Sequence, residues 1–159
     1  MEILIQNQSR KKLVPSAELQ KLSENSLKRM MEEFNLENAE VSVLFVDDER
    51  IRELNKQYRN IDRPTDVLSF PMKDKGELEK GMTKSEMENP LGDIVISLET
   101  AVRQAREAGH GIKKEIALLL VHGFLHLLHY EDEEPAARHH MFTEQELWVA
   151  RLERAGMFS

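Results

Sequence analysis

Two histidines, His122 and His126, stand four positions apart inside the apolar run Ile116–Leu128. A neutral imidazole buried in such a segment needs a partner for each ring nitrogen. On a helix, residues four apart differ by about 40° in azimuth and share a face. Both rings can then reach one ion, as in helical His-x-x-x-His zinc sites. The competing reading is a pair of core histidines satisfied by backbone carbonyls. The helical spacing favours the metal, and with it metal-dependent hydrolysis, because a divalent ion polarises a bound oxygen and acidifies bound water.

A third ligand is expected where the chain turns back after the helix, from His129, Glu131 or Asp132. If the helix continued, His129 would lie about 10 Å along the axis from His122, too far to join the pair. Asp132 can swing back, giving His-x-x-x-His-x-x-x-x-x-Asp with positions left open for water and substrate. His129 and Glu131 remain alternatives at this stage. Gly123 follows the first histidine. In a zinc peptidase of the His-Glu-x-x-His type that place holds the general base, so peptide hydrolysis by that route is not expected.

A second group of residues bears on the substrate. Arg50, Arg52, Lys56, Arg59 and Arg63 make a locally basic stretch in an otherwise acidic chain. Ion pairs with Glu49, Glu53 and Asp62 account for Arg50 and Arg52. Arg59 and Arg63 flank a turn, where a guanidinium can point into a cleft and hold phosphate oxygens through two parallel hydrogen bonds. A metal beside an arginine suits attack at a phosphodiester.

These residues need elements to carry them. Alternation predicts strands at Glu2–Asn7, Val41–Phe45, Val67–Phe70 and Ile94–Ile96. A helix is expected from Pro15 with Ser16 as its N-cap and an apolar face of Leu19, Leu22, Met30 and Phe34. A second, capped by Asp47 or Asp48, carries Ile51, Leu54 and Tyr58. Ser97 caps a third that stops at Gly109. The histidine helix spans about Ile112 to Leu128, and Pro135 opens the last one, through Arg154. Met141 and Trp148 read as core. Lys73–Asn89 is polar and reads as an exposed loop. Gly92 would allow a close backbone approach. Strands early and helices late suggest an α+β fold with a small mixed sheet of about four strands.

Composition narrows the class. The 159 residues suit one domain over 1–159, and 40% hydrophobic with 32% charged residues is ordinary for a globular chain. Cysteine is absent, which excludes disulfides, thiolate metal sites and a cysteine nucleophile. No segment approaches the roughly 20 apolar residues that span a bilayer, and the N-terminus does not read as a signal peptide. A cytoplasmic protein with no membrane partner is expected. The net charge of −7 argues against polyanion binding by the whole surface, though not by a local patch.

Four blocks carry a resemblance. They are Leu54-Asn55 through Tyr58-Arg59, Arg63-Pro64-Thr65-Asp66-Val67-Leu68-Ser69-Phe70-Pro71, Leu91-Gly92-Asp93-Ile94, and His122-Gly123-Phe124-Leu125-His126-Leu127-Leu128. In this order they resemble the YbeY family of bacterial endoribonucleases, also called rRNA maturation factors. The resemblance implies a zincin-like α+β fold with a metal site on a helix and one Zn2+ per chain. It further implies hydrolysis of single-stranded RNA in rRNA maturation and ribosome quality control, with ribosomal RNA and the ribosome or its proteins as partners. It makes the residue matching Arg59 functionally important.

The chain departs from that family after the fourth block. The family reads His-Gly-x-Leu-His-Leu-x-Gly-Tyr-Asp-His, whereas this chain continues Leu127-Leu128-His129-Tyr130-Glu131-Asp132. The family's glycine is His129, its aspartate is Glu131, and its third metal histidine is Asp132. Tyr130 keeps the register. Two readings follow. The first, favoured because both histidines and Arg59 remain together with the neighbouring blocks, is an active zinc-dependent endoribonuclease with His122, His126 and Asp132 on the metal and Arg59 at the phosphate. The second is a ribosome-associated binding module whose catalysis is weakened or lost because the third histidine is Asp132.

Overall fold

The computed structural model describes residues 2–73 and 90–158. Beyond Lys73, the loop expected over Lys73–Asn89 lies outside the described residues. In chain order the elements are β1 (Glu2–Asn7), α1 (Ser16–Glu33), β2 (Glu40–Val46), α2 (Asp48–Arg59), β3 (Val67–Pro71), β4 (Pro90–Ser97), α3 (Leu98–Ala108), α4 (Ile112–Leu127) and α5 (Pro135–Arg154).

The four strands form one sheet in the order β1-β2-β4-β3. β1, β2 and β4 run parallel, and β3 runs antiparallel to β4 at the edge. This is the small mixed sheet of an α+β, zincin-like fold. Side chains alternate across it. Val41, Val43, Phe45, Ile94 and Ile96 enter the main core beneath α1, α4 and α5. Val46, Leu68 and Val95 face the other way and pack on Ile51 of α2.

Helix α4 is buried nearly all round, as its apolar run requires. It packs against α1, α3, α5, β3 and β4. Phe124 and Ile116 are fully enclosed, and burial of such side chains contributes about 1.5–3 kcal/mol each. The Phe34 ring packs 5.9 Å from both Phe124 and Trp148, which joins α1, α4 and α5. Met141 and Trp148 belong to the core, as expected.

Gly92 brings the edge strand close. Its φ of +154° lies in a region that L side chains rarely adopt. A Cβ there would stand 2.5 Å from the Phe70 carbonyl oxygen and 2.6 Å from Leu127 Cδ2. Glycine therefore lets β3 and α4 converge on β4.

Three helix-end expectations differ from the structure. Ser16 is the first helical residue rather than the cap, and its Oγ accepts a hydrogen bond from Asn7 Nδ2 at 3.0 Å. Asp47 stands at the N-cap of α2, as expected, but its side chain makes no capping hydrogen bond. Asp47 Oδ2 accepts from the Arg10 N–H at 2.8 Å, while Asp48 is held by Ser97, Thr100 and Arg103. Burial would raise the Asp48 carboxyl, but those three donors outweigh it and hold it below the ordinary carboxylate value. Tyr58 does not join the buried face of α2. It is 60% exposed, with its ring edge-on to Phe70 at 5.1 Å. Ser97 does cap α3, accepting from the Thr100 N–H, and Gly109 ends it at φ 72°.

Candidate metal centre

His122 and His126 project from the last two turns of α4, both partly buried, while Gly123 between them faces the sheet. A Cβ on Gly123 would meet Ile94 Cγ2 at 2.8 Å and Ser69 Oγ at 3.3 Å. No side chain fits there. The position that serves as general base in His-Glu-x-x-His peptidases is thus occupied by the sheet.

Helix α4 ends in a Schellman turn. His129 N–H donates to His126 O at 2.9 Å, and Tyr130 N–H to Leu125 O at 3.0 Å. His129 takes the left-handed conformation that such a turn demands, at φ 65°. The turn also points the Tyr130 carbonyl at His126 Nδ1, 3.0 Å away. Two residues later the chain brings Asp132 back to the histidines.

His122, His126 and Asp132 each offer one donor atom, all within 4.8 Å of one another. The two Nε2 atoms are 3.0 Å apart, and His126 Nε2 lies 3.6 Å from Asp132 Oδ2. Of the other two candidates, His129 Nε2 turns away to the Lys73 carbonyl at 2.5 Å, and Glu131 is exposed. The Asp132 segment is anchored through its backbone: Arg138 Nε donates to Asp132 O at 2.8 Å.

The donor chemistry fits a cation. His122 Nδ1 faces Gln145 Oε1 at 2.7 Å, and His126 Nδ1 faces the Tyr130 carbonyl. Each acceptor calls for a proton on Nδ1, which leaves a lone pair on each Nε2. Two lone pairs at 3.0 Å repel unless a cation lies between them. Burial, the neighbouring His122 and the more distant Arg59 lower the His126 pKa, against Asp132 and the Tyr130 carbonyl. The neutral ring is the form that binds metal. Gln145 was not anticipated. Its signal was present, however: it falls in the Met141, Trp148, Val149, Leu152 core stripe of α5, where a polar residue needs a partner.

A cleft of about 630 Å³ opens in front of the triad. Arg59, Thr65, the length of β3, His122, His126, Asp132 and Glu133 line it. Arg59 is the last residue of α2 before Asn60 turns the chain at φ 58°. The following loop is held to α2 by buried Asn55, whose Nδ2 donates to Arg63 O at 2.9 Å. Arg63 lies outside the cleft walls. Arg50 pairs with Glu53, and Arg52 and Lys56 pair with Asp62, much as the sequence suggested.

A mixed sheet under a helix that presents two histidines, closed by a residue from the next turn, defines a zincin-like fold with a candidate metal site. Residues 4–153 match the family model described as endoribonuclease YbeY. The endoribonuclease YbeY of Thermoanaerobacter sp. (strain X514) is 47% identical over 157 residues, covering 96% of this chain and 98% of that protein. That of Caldicellulosiruptor saccharolyticus is 48% identical over 140 residues, 84% and 88% of the two chains. The solution structure of TM1509 from Thermotoga maritima superposes with a TM-score of 0.62 at 30% identity, over 92% of this chain and 86% of that one. The chain belongs to the endoribonuclease YbeY family.

One expectation is corrected here. The sequence reading took the chain for an active zinc-dependent endoribonuclease. The clustered donors are two histidines and an aspartate, where the family motif has three histidines. A carboxylate changes both the charge and the reach of the third ligand, so the site is altered from the one that defines that activity.

Proposed function

We propose that this chain is an RNA-binding, ribosome-associated member of its family in which RNA hydrolysis is weakened or lost. The observation that carries this reading is the cleft itself: it keeps Arg59 in the cleft with the histidine pair but closes the triad with Asp132. In this reading His122, His126 and Asp132 hold one divalent ion. Zinc is the ion the family motif implies, and a carboxylate oxygen remains acceptable to it. When bound, such an ion supplies Lewis acidity and a more acidic water.

The residues of the chain divide the remaining work. Arg59 grips a phosphate of a single-stranded RNA laid along β3. Asp132 and Glu133, on the opposite wall, repel the same phosphate. Asp132 also brings a negative charge that a histidine would not, and it lowers the ion's pull on phosphoryl oxygens. Binding therefore survives better than cleavage. Ribosomal RNA and the ribosome are the proposed partners, which would place the protein in the cytoplasm.

The test compares wild type with Asp132→His on a labelled single-stranded RNA. Anisotropy should give binding within a few-fold for both proteins, lost in Arg59→Ala. Cleavage should rise about fivefold to thirtyfold in Asp132→His. Wild-type cleavage equal to that of the histidine variant would refute the reading.

A further inference from the structure

We infer that the triad of this chain has moved from zinc toward a six-coordinate, oxygen-favouring divalent ion such as Mn(II) or Fe(II). The inference rests on the reading of His122, His126 and Asp132 as one ligand set, and goes beyond it to the ion's identity.

Three observations carry it. First, the donors are two imidazole nitrogens and one carboxylate oxygen. Two histidines and one carboxylate with open positions serve catalytic zinc as well as non-haem Fe(II), but the carboxylate suits Mn(II) better than the imidazole it replaces would. Second, the three donors lie within 4.8 Å of one another and all line one open cleft. A facial triad leaves three positions for water or substrate oxygens, which a six-coordinate ion uses. Tetrahedral zinc uses only one. Third, the carboxylate is free to adapt. The Asp132 segment is tied down through its carbonyl to Arg138, while the carboxylate is 40% exposed and has the His126 ring 3.6 Å away as its neighbour. It can offer one oxygen or two, which favours higher coordination numbers.

The ring nitrogens support the same assignment. Gln145 and the Tyr130 carbonyl hold both Nδ1 atoms, so each histidine contributes one fixed Nε2. Only the third donor distinguishes this set from three histidines. Zinc still binds the more tightly of the two kinds in absolute terms, as it does for most nitrogen and oxygen donor sets. The inference concerns the ratio.

The experiment uses the full chain, stripped of metal. Zinc and Mn(II) are titrated at neutral pH into wild type and Asp132→His, with anaerobic Fe(II) as a separate arm to tell iron from manganese. The zinc-to-manganese affinity ratio should be at least about tenfold smaller in wild type than in Asp132→His. A second measurement needs no variant: Co(II) bound to wild type should give the weak visible bands of a six-coordinate ion. An unchanged ratio, or the intense bands of tetrahedral cobalt, would overturn the assignment while leaving the triad as a metal site. Failure of wild type to bind any of these ions would overturn the ligand set itself, and the inference with it.

Discussion

Replacing Gly123 by alanine tests the contact that places both histidines. In an exposed helix interior the change would stabilise by about 1 kcal/mol. Here the new methyl would sit 2.8 Å from Ile94 Cγ2 and 3.3 Å from both Ser69 Oγ and Val67 Cγ2. Carbon–carbon contact is comfortable at about 3.5–4.0 Å, so roughly 1 Å must be found. Ile94 is fully buried, and its Cγ2 is fixed to a branched Cβ, so it cannot swing aside. The helix must lift from the sheet instead. Overpacking of this kind costs about 1–3 kcal/mol. Lifting also stretches the 2.9 Å bond from Ser69 Oγ to the Gly123 carbonyl, worth about 1 kcal/mol. The net expectation is a loss of about 1–3 kcal/mol, read as a lower urea midpoint at unchanged slope. The same lift displaces His122 and His126 from Asp132, so zinc affinity should fall in parallel. A Gly123→Ala protein as stable as wild type, with zinc affinity intact, would refute the reasoning.

Four further outcomes are expected. Gly92→Ala forces a side chain onto φ +154° against the Phe70 carbonyl, and should cost about 3 kcal/mol or more by urea unfolding. His129→Ala keeps the left-handed backbone but loses the bond to Lys73. It should therefore be less stable than His129→Gly by about 1 kcal/mol, and equal midpoints would argue against strain at that turn. Gln145→Leu should weaken zinc binding about tenfold to a hundredfold in isothermal titration, and Gln145→Glu, which keeps the acceptor, should retain it. Asp48 has a folded-state pKa below its ordinary 3.8. Its contribution is therefore complete above that value and is lost as pH falls through the lower folded value. Asp48→Asn should be less stable than wild type near pH 6 and lose less on going to about pH 3; parallel acid limbs would contradict this.

The histidine helix and the last helix could be read from the sequence because local signals and tertiary demands agree there. The apolar run of α4 is buried nearly all round, and Pro135 opens α5 where a proline costs least. Ser97 was legible as a cap for the same reason. Ser16 is not the cap expected of it, and Asp47 takes the N-cap position without a capping bond, because distant residues claim these side chains and that of Asp48: Asn7, Arg10, Thr100 and Arg103. Nothing local announces such partners. The third ligand could be narrowed to three residues but not chosen with certainty, since the choice depends on the Schellman turn at His129. That turn uses a residue with no glycine signal. Gln145 was missed although its place in the core stripe of α5 signalled a partner, because which partner it has emerges only once α4 is placed.

The division between helix and loop explains how the site can change while the fold stays. His122 and His126 are locked by the packing of α4, where a shift would disturb Phe124, Leu125 and the sheet beneath Gly123. Asp132 hangs from a partly exposed turn held by backbone bonds to Arg138. A substitution there disturbs no core contact, which is consistent with 47% identity across nearly the whole chain of a relative. Its electrostatic effect is larger than its structural one. A carboxylate in place of an imidazole takes the combined charge of a divalent ion and its ligands from +2 to +1. At about 5 Å and an effective dielectric constant near 20, that added charge acts on a phosphate by about 3 kcal/mol. Partial exposure of Asp132 reduces this to about 1–2 kcal/mol, or roughly fivefold to thirtyfold in rate. Stability thus resides in α4 and the sheet, whereas the strength of the chemistry is set by one residue on the turn that follows, and the second can drift without the first.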